Sequence, residues 1–283
     1  MPRPSEPPKN IWFRRRVSLT RSLVELWAFR ELTATLAERD LRVRYKQAAL
    51  GVAWAVITPV IMMLAFSLIV NKITHTNTGL HHPPYPLWSY MGLLPWTFFS
   101  STVGGGGMSL VSNNTLLNKL YCPREVFPIA GMIDATFDAL IAALVLAIMF
   151  PALGFAPAST SIYVPLLLIV LVMFTMGVTL AVSVIVVYMR DLRLAIPMVL
   201  QFGLFVTPVI YPPTKLSHHP AFLIAYSVIN PLVPVIDGMR RCVLSGQPPN
   251  WTWLLAGGVS SLVFLVGGFW LFKRLETGIA DVA

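Results

Sequence analysis

Apolar residues in this chain gather into long runs, not into the narrow stripes or strict alternation of a soluble domain. Six segments are long and apolar enough to cross a bilayer: 50–70, 87–111, 127–150, 162–189, 194–211 and 251–272. A membrane helix takes about 20 predominantly apolar residues, so the pattern predicts an all-α polytopic membrane protein with six transmembrane helices. The fifth segment is short and holds Pro197 and Pro208, so its ends are the least defined. Pro59, Pro95 and Pro197 predict kinks, which a membrane helix tolerates where its neighbours satisfy the freed carbonyls. Between spans five and six lie two shorter apolar stretches, 221–229 and 232–236, with Pro231 and Pro234 at their break. Neither can span, and short apolar segments beside a membrane predict two re-entrant helices forming an outer lid within 212–250. An ordinary extracytoplasmic loop is the alternative. No internal repeat of the kind that marks many secondary transporters is visible.

The polar positions orient these helices. Residues 1–20 read as a cytoplasmic tail, and 21–47 as an amphipathic helix ahead of a transmembrane domain at 48–272. Leu26, Phe29, Thr33 and Leu36 share one face while Glu31 and Glu38 point away. Such a helix is expected to lie along the inner membrane surface. Eleven of the 21 basic residues precede the first span, and Arg39, Arg42, Arg44 and Lys46 stand nearly against it. With six spans, seventeen basic residues fall on the side of the termini and four on the other. The positive-inside rule then makes both termini cytoplasmic, including the tail at 273–283. The N-terminal segment is too long and too polar for a signal peptide.

Composition adds the class. The chain is 56% hydrophobic and 12% charged, with a mean hydropathy of +0.71, whereas a soluble domain is about 25% charged. The net charge of +9 serves topology and anionic lipid headgroups before it signals nucleic acid. Cys122 and Cys242 are predicted on opposite sides of the bilayer and so do not pair, and no zinc-type cysteine spacing occurs.

Candidate chemistry is sparse. No phosphate-cradling Gly-x-x-x-x-Gly-Lys-Ser/Thr loop occurs, and no Ser/His/Asp or paired-carboxylate arrangement suggests hydrolysis. Any ATP must therefore be bound by another chain. The loop NKLYCPREVFP at 118–128 is short, mixed in charge and predicted cytoplasmic. Its Arg124 and Glu125 are suited to pairing across an interface, beside the aromatic Tyr121; the alternative is a solvated loop. Asp134 and Asp138 lie in span three at i, i+4, on one face. An ionised Asp at a helix centre costs about 2.5–3.5 kcal/mol, so that face looks into the bundle as helix glue, lines a cavity or carries protons. Gly104, Gly105, Gly106 and Gly107 in span two permit close helix approach, or a hinge. All five histidines, His75, His81, His82, His218 and His219, fall in outer loops, a weak pointer to metal, and no metal site is assigned. Trp88, Trp251, Trp253 and Trp270 fit interfacial aromatic belts, while Trp54 and Trp96 lie deeper.

Four stretches in this order resemble the permease subunits of type-2 ABC exporters for lipid-linked polysaccharides such as O-antigen, capsule, teichoic acid or cell-wall galactan. They are RDLRVRYKQAALGVAWAVITP at 39–59, YCPREVFP at 121–128, YMRDLR at 188–193 leading to TPVIYPP at 207–213, and NPLVPVIDGMRR at 230–241. The resemblance implies a homodimer in a bacterial inner or plasma membrane, assembled with two copies of a separate ATPase that binds ATP and Mg. This chain would hold no cofactor and would not itself be an enzyme. A coupling helix at about 118–127, with Lys119, Tyr121, Pro123, Arg124, Glu125 and Phe127, would dock on that ATPase. Helix 21–47 would be the interface helix. The cargo would be a polyprenyl-diphosphate-linked glycan whose diphosphate first meets Arg39, Arg42, Arg44 and Lys46. Trp54, Trp96, Asp134 and Asp138 would line the channel or pack helices, and Pro231, Pro234, Arg240 and Arg241 would belong to the outer gate. The Gly104–107 run is not part of that family pattern.

Three other readings stand beside this one. An ABC-type exporter of a drug or small lipid keeps the architecture and changes the cargo. An ATP-independent channel or proton-coupled carrier would use Asp134 and Asp138. A membrane glycosyltransferase lacks, in these loops, a carboxylate motif for a metal-bound sugar nucleotide.

Overall fold

The computed structural model describes residues 26–46, 51, 53–74, 84–117, 122–189, 191–215 and 219–276, and every regular element among them is helical. In chain order these are α1 (Arg30–Lys46), α2 (Ala53–Thr74), α3 (Tyr85–Ser101), a π-helical turn (Thr102–Gly106), α4 (Gly107–Ser112), α5 (Asn114–Leu117), α6 (Val126–Ala152), a 3-10 turn (Ser159–Tyr163), α7 (Val164–Tyr188), α8 (Leu192–Val206), a 3-10 turn (Pro213–Lys215), α9 (Pro220–Ile229), α10 (Leu232–Val243) and α11 (Trp251–Glu276). Three helical stretches are long and apolar enough to cross a membrane: α6, α7 with its 3-10 lead, and α11. The apolar part of α2 (Ala53–Leu68) and α8 are shorter. Helix continues unbroken from α3 through the π turn into α4. The expected half-helices exist as α9 and α10, bent by 113° at their junction. Pro231 stands at that break, but Pro234 lies within α10 and is not at the break.

Small residues set how closely the helices approach. A Cβ on Gly131 of α6 would lie 2.7 Å from Gly106 Cα, and one on Gly106 would lie 2.8 Å from Thr179 Cγ2 of α7. The π turn therefore wedges between α6 and α7, backbone against backbone at α6 and against the Thr179 side chain at α7. Gly177 and Gly268 do the same for α7 and α11, which form the most extensive helix pair in the bundle. Lipid gives helices no hydrophobic reason to associate, so this close dispersion contact is what holds them. The glycine run thus resolves into two parts. Gly106 and Gly107 are packed, whereas Gly105 faces open space.

α8 is too short to finish a crossing, and the polar groups it frees are answered locally. Its 15 residues rise about 22 Å, against a hydrocarbon core of about 30 Å. Tyr211 Oη donates to the Phe205 and Val206 carbonyls at 2.9 and 3.1 Å, and Tyr226 Oη also donates to Val206. Just beyond, Arg240 of α10 donates to the carbonyls of Pro208 (2.9 Å), Val209 and Trp88 (3.2 Å). Its guanidinium lies over the Trp88 ring, 3.4 Å from the centroid, and Gly92 leaves room for it. Asn230 caps the bend, accepting from Leu232 N and donating to Thr207 Oγ1 at 2.8 Å. Non-helical backbone at membrane depth survives only when its polar groups are met in this way.

Two substitutions test this account. Gly131→Leu is expected to cost about 3 kcal/mol through overpacking, while Gly105→Ala stays within about 0.5 kcal/mol, both read from unfolding of the detergent-solubilised protein. Arg240→Met strips donors from the buried Pro208 and Val209 carbonyls and the half-buried Trp88 carbonyl, and should cost about 3 kcal/mol in the same measurement.

Candidate functional site

The end of the bundle where α1 sits carries two polar constellations. The first joins α1 to α6. Leu36 and Ala37 share a buried cluster with Val126, Phe127 and Ala130, and Leu26, Phe29 and Leu32 pack on its edge. Further along both helices Arg44 forks onto Asp134 and Asp138, with Nη1 2.7 Å from Asp138 Oδ2. Tyr45 Oη donates to Asp138 Oδ1, and burial together with that bond pushes the phenol pKa up to about 12, so the donor keeps its proton. The face assigned to α1 is as read from sequence, but it seals against the protein and not against lipid.

This network resolves the carboxylate pair. Asp134 is buried, and its Oδ1 meets no hydrogen-bond donor among the described residues. One guanidinium serves two carboxylates, its planar fork of N–H donors holding both at fixed angles. The pair is glue between α1 and α6. Asp138 also lines a cleft of about 330 Å³ with Arg44, Tyr45, Trp54, Thr58 and Ser101.

The second constellation is the loop before α6. Glu125 is fully buried, and its Oε1 pairs with Lys273 Nζ at the end of α11. Lys273 also reaches Glu276 Oε2 at 3.0 Å, and Arg124 donates to the Glu276 carbonyl. Burial and the Glu276 charge raise the Glu125 pKa, while the Lys273 ammonium opposes them. Phe127 is buried in the same cluster as Phe272. Cys122, Pro123 and Arg124 are half-buried, and Lys119 and Tyr121 lie outside the described residues. Glu125 was expected to face a partner; it faces α11 instead. Phe127 likewise points into its own chain, because a carboxylate and a phenyl ring at the foot of a bundle are buried most cheaply by the helices already there.

The remaining candidates separate by environment. Arg39 bonds Asp40 and Asn113, and Arg42 bonds Glu38 at 2.5 Å with its side chain 73% exposed. Lys46 has no ion-pair partner among the described residues and is exposed. The four cations are thus not equivalent: Arg44 is committed to carboxylates, whereas Arg42 and Lys46 stay accessible. Trp54 is 50% exposed and lines the cleft, but Trp96 is buried against Phe99 and Gly203 as packing. Arg240 is a buried clamp and Arg241 bonds Pro248 O at 3.3 Å, so neither hangs free at a pore mouth. Of the histidines, only His219 is among the described residues, where no group of three His, Cys, Asp or Glu converges. Cys122 is at the α1 end and Cys242 is buried at the other, both as free thiols.

Sequence reading missed Lys273, Tyr45 and Glu276. Lys273 looks like a topology anchor at a helix end, and nothing in its neighbours betrays a buried carboxylate far away in the chain. The Arg44 pairing did leave a signal, since two membrane carboxylates need a cation and the nearest dense source is the stretch ahead of span one.

Comparison with known proteins assigns the architecture. Over 263 residues the chain is 26% identical to the O-antigen export system permease protein RfbA of Myxococcus xanthus, covering 93% of this chain and 99% of that one. It is 24% identical over 253 residues to the protein of the same name from Klebsiella pneumoniae, covering 89% of this chain and 95% of that one. It is 22% identical over 239 residues to the polysialic acid transport protein KpsM of Escherichia coli, covering 84% and 91%. The family model for ABC-2 type transporters matches residues 31–244, from the first turn of α1 to the end of α10, and the chain belongs to that family of multi-pass membrane permeases.

Proposed function

We propose that the chain is the transmembrane subunit of an ATP-driven exporter of polyprenyl-diphosphate-linked polysaccharide. It would work as a homodimer with two copies of an ATPase that supplies ATP and Mg chemistry. The observation that carries the cargo is the near full-length similarity to permeases named for O-antigen and polysialic acid. Those names favour a glycan over a drug or small lipid. The Arg44 pairing weakens the proton-carrier alternative, because Asp134 and Asp138 already hold a fixed counter-ion.

Six spans with cytoplasmic termini remain the reading that suits the helices best. The three long spans are joined by α2, by the continuous helix of α3 and α4, and by α8 completed through the carbonyls that Arg240 and the tyrosines cover. The α1 end, with its basic residues, would then face the cytoplasm, and the α9–α10 pair would cover the outer side. Docking on the ATPase would fall to Lys119, Tyr121, Pro123 and Arg124, with Glu125 and Phe127 as their buried footing. The diphosphate would meet Arg42 and Lys46 first, since an exposed i,i+4 pair such as Arg42–Glu38 is worth little and opens readily.

Three measurements test this. Depleting the protein should accumulate lipid-linked glycan in the cytoplasmic leaflet, and unchanged surface polysaccharide would sink the cargo assignment. Arg124→Glu should weaken ATPase recovery on copurification about tenfold or more; normal assembly and export would remove the loop from the interface. Arg42→Glu with Lys46→Glu should leave insertion intact but cut export about tenfold through like-charge repulsion of the diphosphate. Wild-type export would leave that stretch with a topological role alone.

A further inference from the structure

α11 is in contact with both ends of the polar architecture. At the inner end its Lys273 holds Glu125, its last carbonyl accepts from Arg124, and Phe272 is sunk into the cluster that contains Val126 and Phe127. Along its length it is pressed on α7 through Gly268 and Gly177, with no side chain between the backbones. Its outer half receives the bent pair: a Cβ on Gly257 would lie 2.6 Å from Pro234 Cγ of α10, and Ser260 Oγ donates to the Val228 carbonyl of α9 at 2.5 Å.

The inner joint has a particular character. A buried carboxylate beside a single ammonium resists separation, because parting them leaves a charge in a medium that cannot solvate it. The second Lys273 partner, Glu276, sits on α11 itself and sets the ammonium toward the loop. Displacing the loop therefore carries the end of α11 with it instead of sliding past it. A close-packed helix pair has discrete arrangements and does not deform smoothly, so the displacement is passed along α11 to where Pro234 and Val228 rest on it.

We propose that Lys273 is the positioning residue that makes the 122–125 loop and α11 move as one body, so that ATPase motion at the loop is delivered to the α9–α10 pair. This rests on the reading of the loop as the ATPase-docking segment.

The test uses the complete permease–ATPase complex in proteoliposomes, reading ATP hydrolysis and lipid-linked glycan export together. Lys273→Met is expected to recover the ATPase in full and hydrolyse ATP at near the wild-type rate, while export per ATP falls about tenfold, the scale of a typical coupling term. Lys273→Glu should be worse. In a Glu276→Gln background, exchanging the charges, Lys273→Glu with Glu125→Lys, should restore export per ATP to within about threefold of the Glu276→Gln parent on the same scale. The rescue separates positioning from folding, since Glu276→Gln removes the carboxylate that would repel a glutamate at 273 and the exchange then inverts only the order of the pair. Wild-type export per ATP in Lys273→Met would overturn the proposal and leave the docking reading intact. So would a charge exchange that assembles and melts normally yet stays uncoupled. Loss of the ATPase from Lys273→Met would also overturn it, assigning Lys273 to the docking surface alone. If instead Arg124→Glu assembles and exports normally, it is the docking reading that fails.

Discussion

A bilayer supplies neither hydrogen bonds nor counter-ions, so each charged or broken place in a spanning chain must be answered by the chain itself. Three cations do that here. Arg44 answers Asp134 and Asp138, Arg240 answers the carbonyls beyond α8, and Lys273 answers Glu125. Each one joins segments far apart in sequence, and each stands where a helix starts, ends or breaks. The choice of side chain follows the acceptor. Arg44 and Arg240 meet their acceptors with a planar fork, whereas Lys273 meets Glu125 and Glu276 as a compact charge with rotatable donors. Between these joints the helices are held by contact of small residues, which is directional only through shape. The polar joints therefore fix which arrangement is adopted, and the glycines fix how tightly.

The α1 end of the bundle follows the same rule. The short loop before α6 has a buried side and an open side. Glu125 and Phe127 lock the buried side to α11 and α6, so the open side with Pro123 and Arg124 is presented on a rigid base. The same economy governs α1, whose apolar face is spent on the bundle while Arg42 and Lys46 stay outward. A basic stretch that seems uniform in sequence is thus divided into a structural arginine and accessible cations. The distinction is one of geometry: side chains on one side of α1 meet α6, and the others do not.

Much of this was legible in the sequence, and the reason is local. Long apolar runs located the helices, and the short pair before the last helix announced itself by length and proline. The amphipathic face of α1 was read correctly from Leu26, Phe29, Thr33 and Leu36, although what covers it was not. Long-range charge pairing was the blind spot. Asp134 and Asp138 read as glue, cavity lining or proton carriers, but nothing local points to Arg44 of α1 as the cation that meets both. Arg240 was assigned to the outer gate because the resemblance of 230–241 implies one there, and nothing local marks it as buried. Only the fold shows three carbonyls and an indole ring converging on it. Glu125 fails in the same way, since nothing local distinguishes a loop glutamate that faces a partner from one that faces its own last helix.

The π turn at Thr102–Gly106 has a consequence for chain length. Such a turn holds one residue more than the α turn it replaces, and it stands upstream of the helix that ends beside Asn113, where Arg39 is bonded. Each residue of an α-helix turns its successors by about 100°. A single residue gained or lost elsewhere in α3 or α4 would swing Asn113 off Arg39, and with it the joint between α1 and the bundle. Inside the π turn, losing one residue can be absorbed by relaxing the wide turn to an ordinary one, leaving the phase downstream undisturbed. The glycine-rich turn thus acts as an expansion joint in a helix whose two ends are pinned to different parts of the protein.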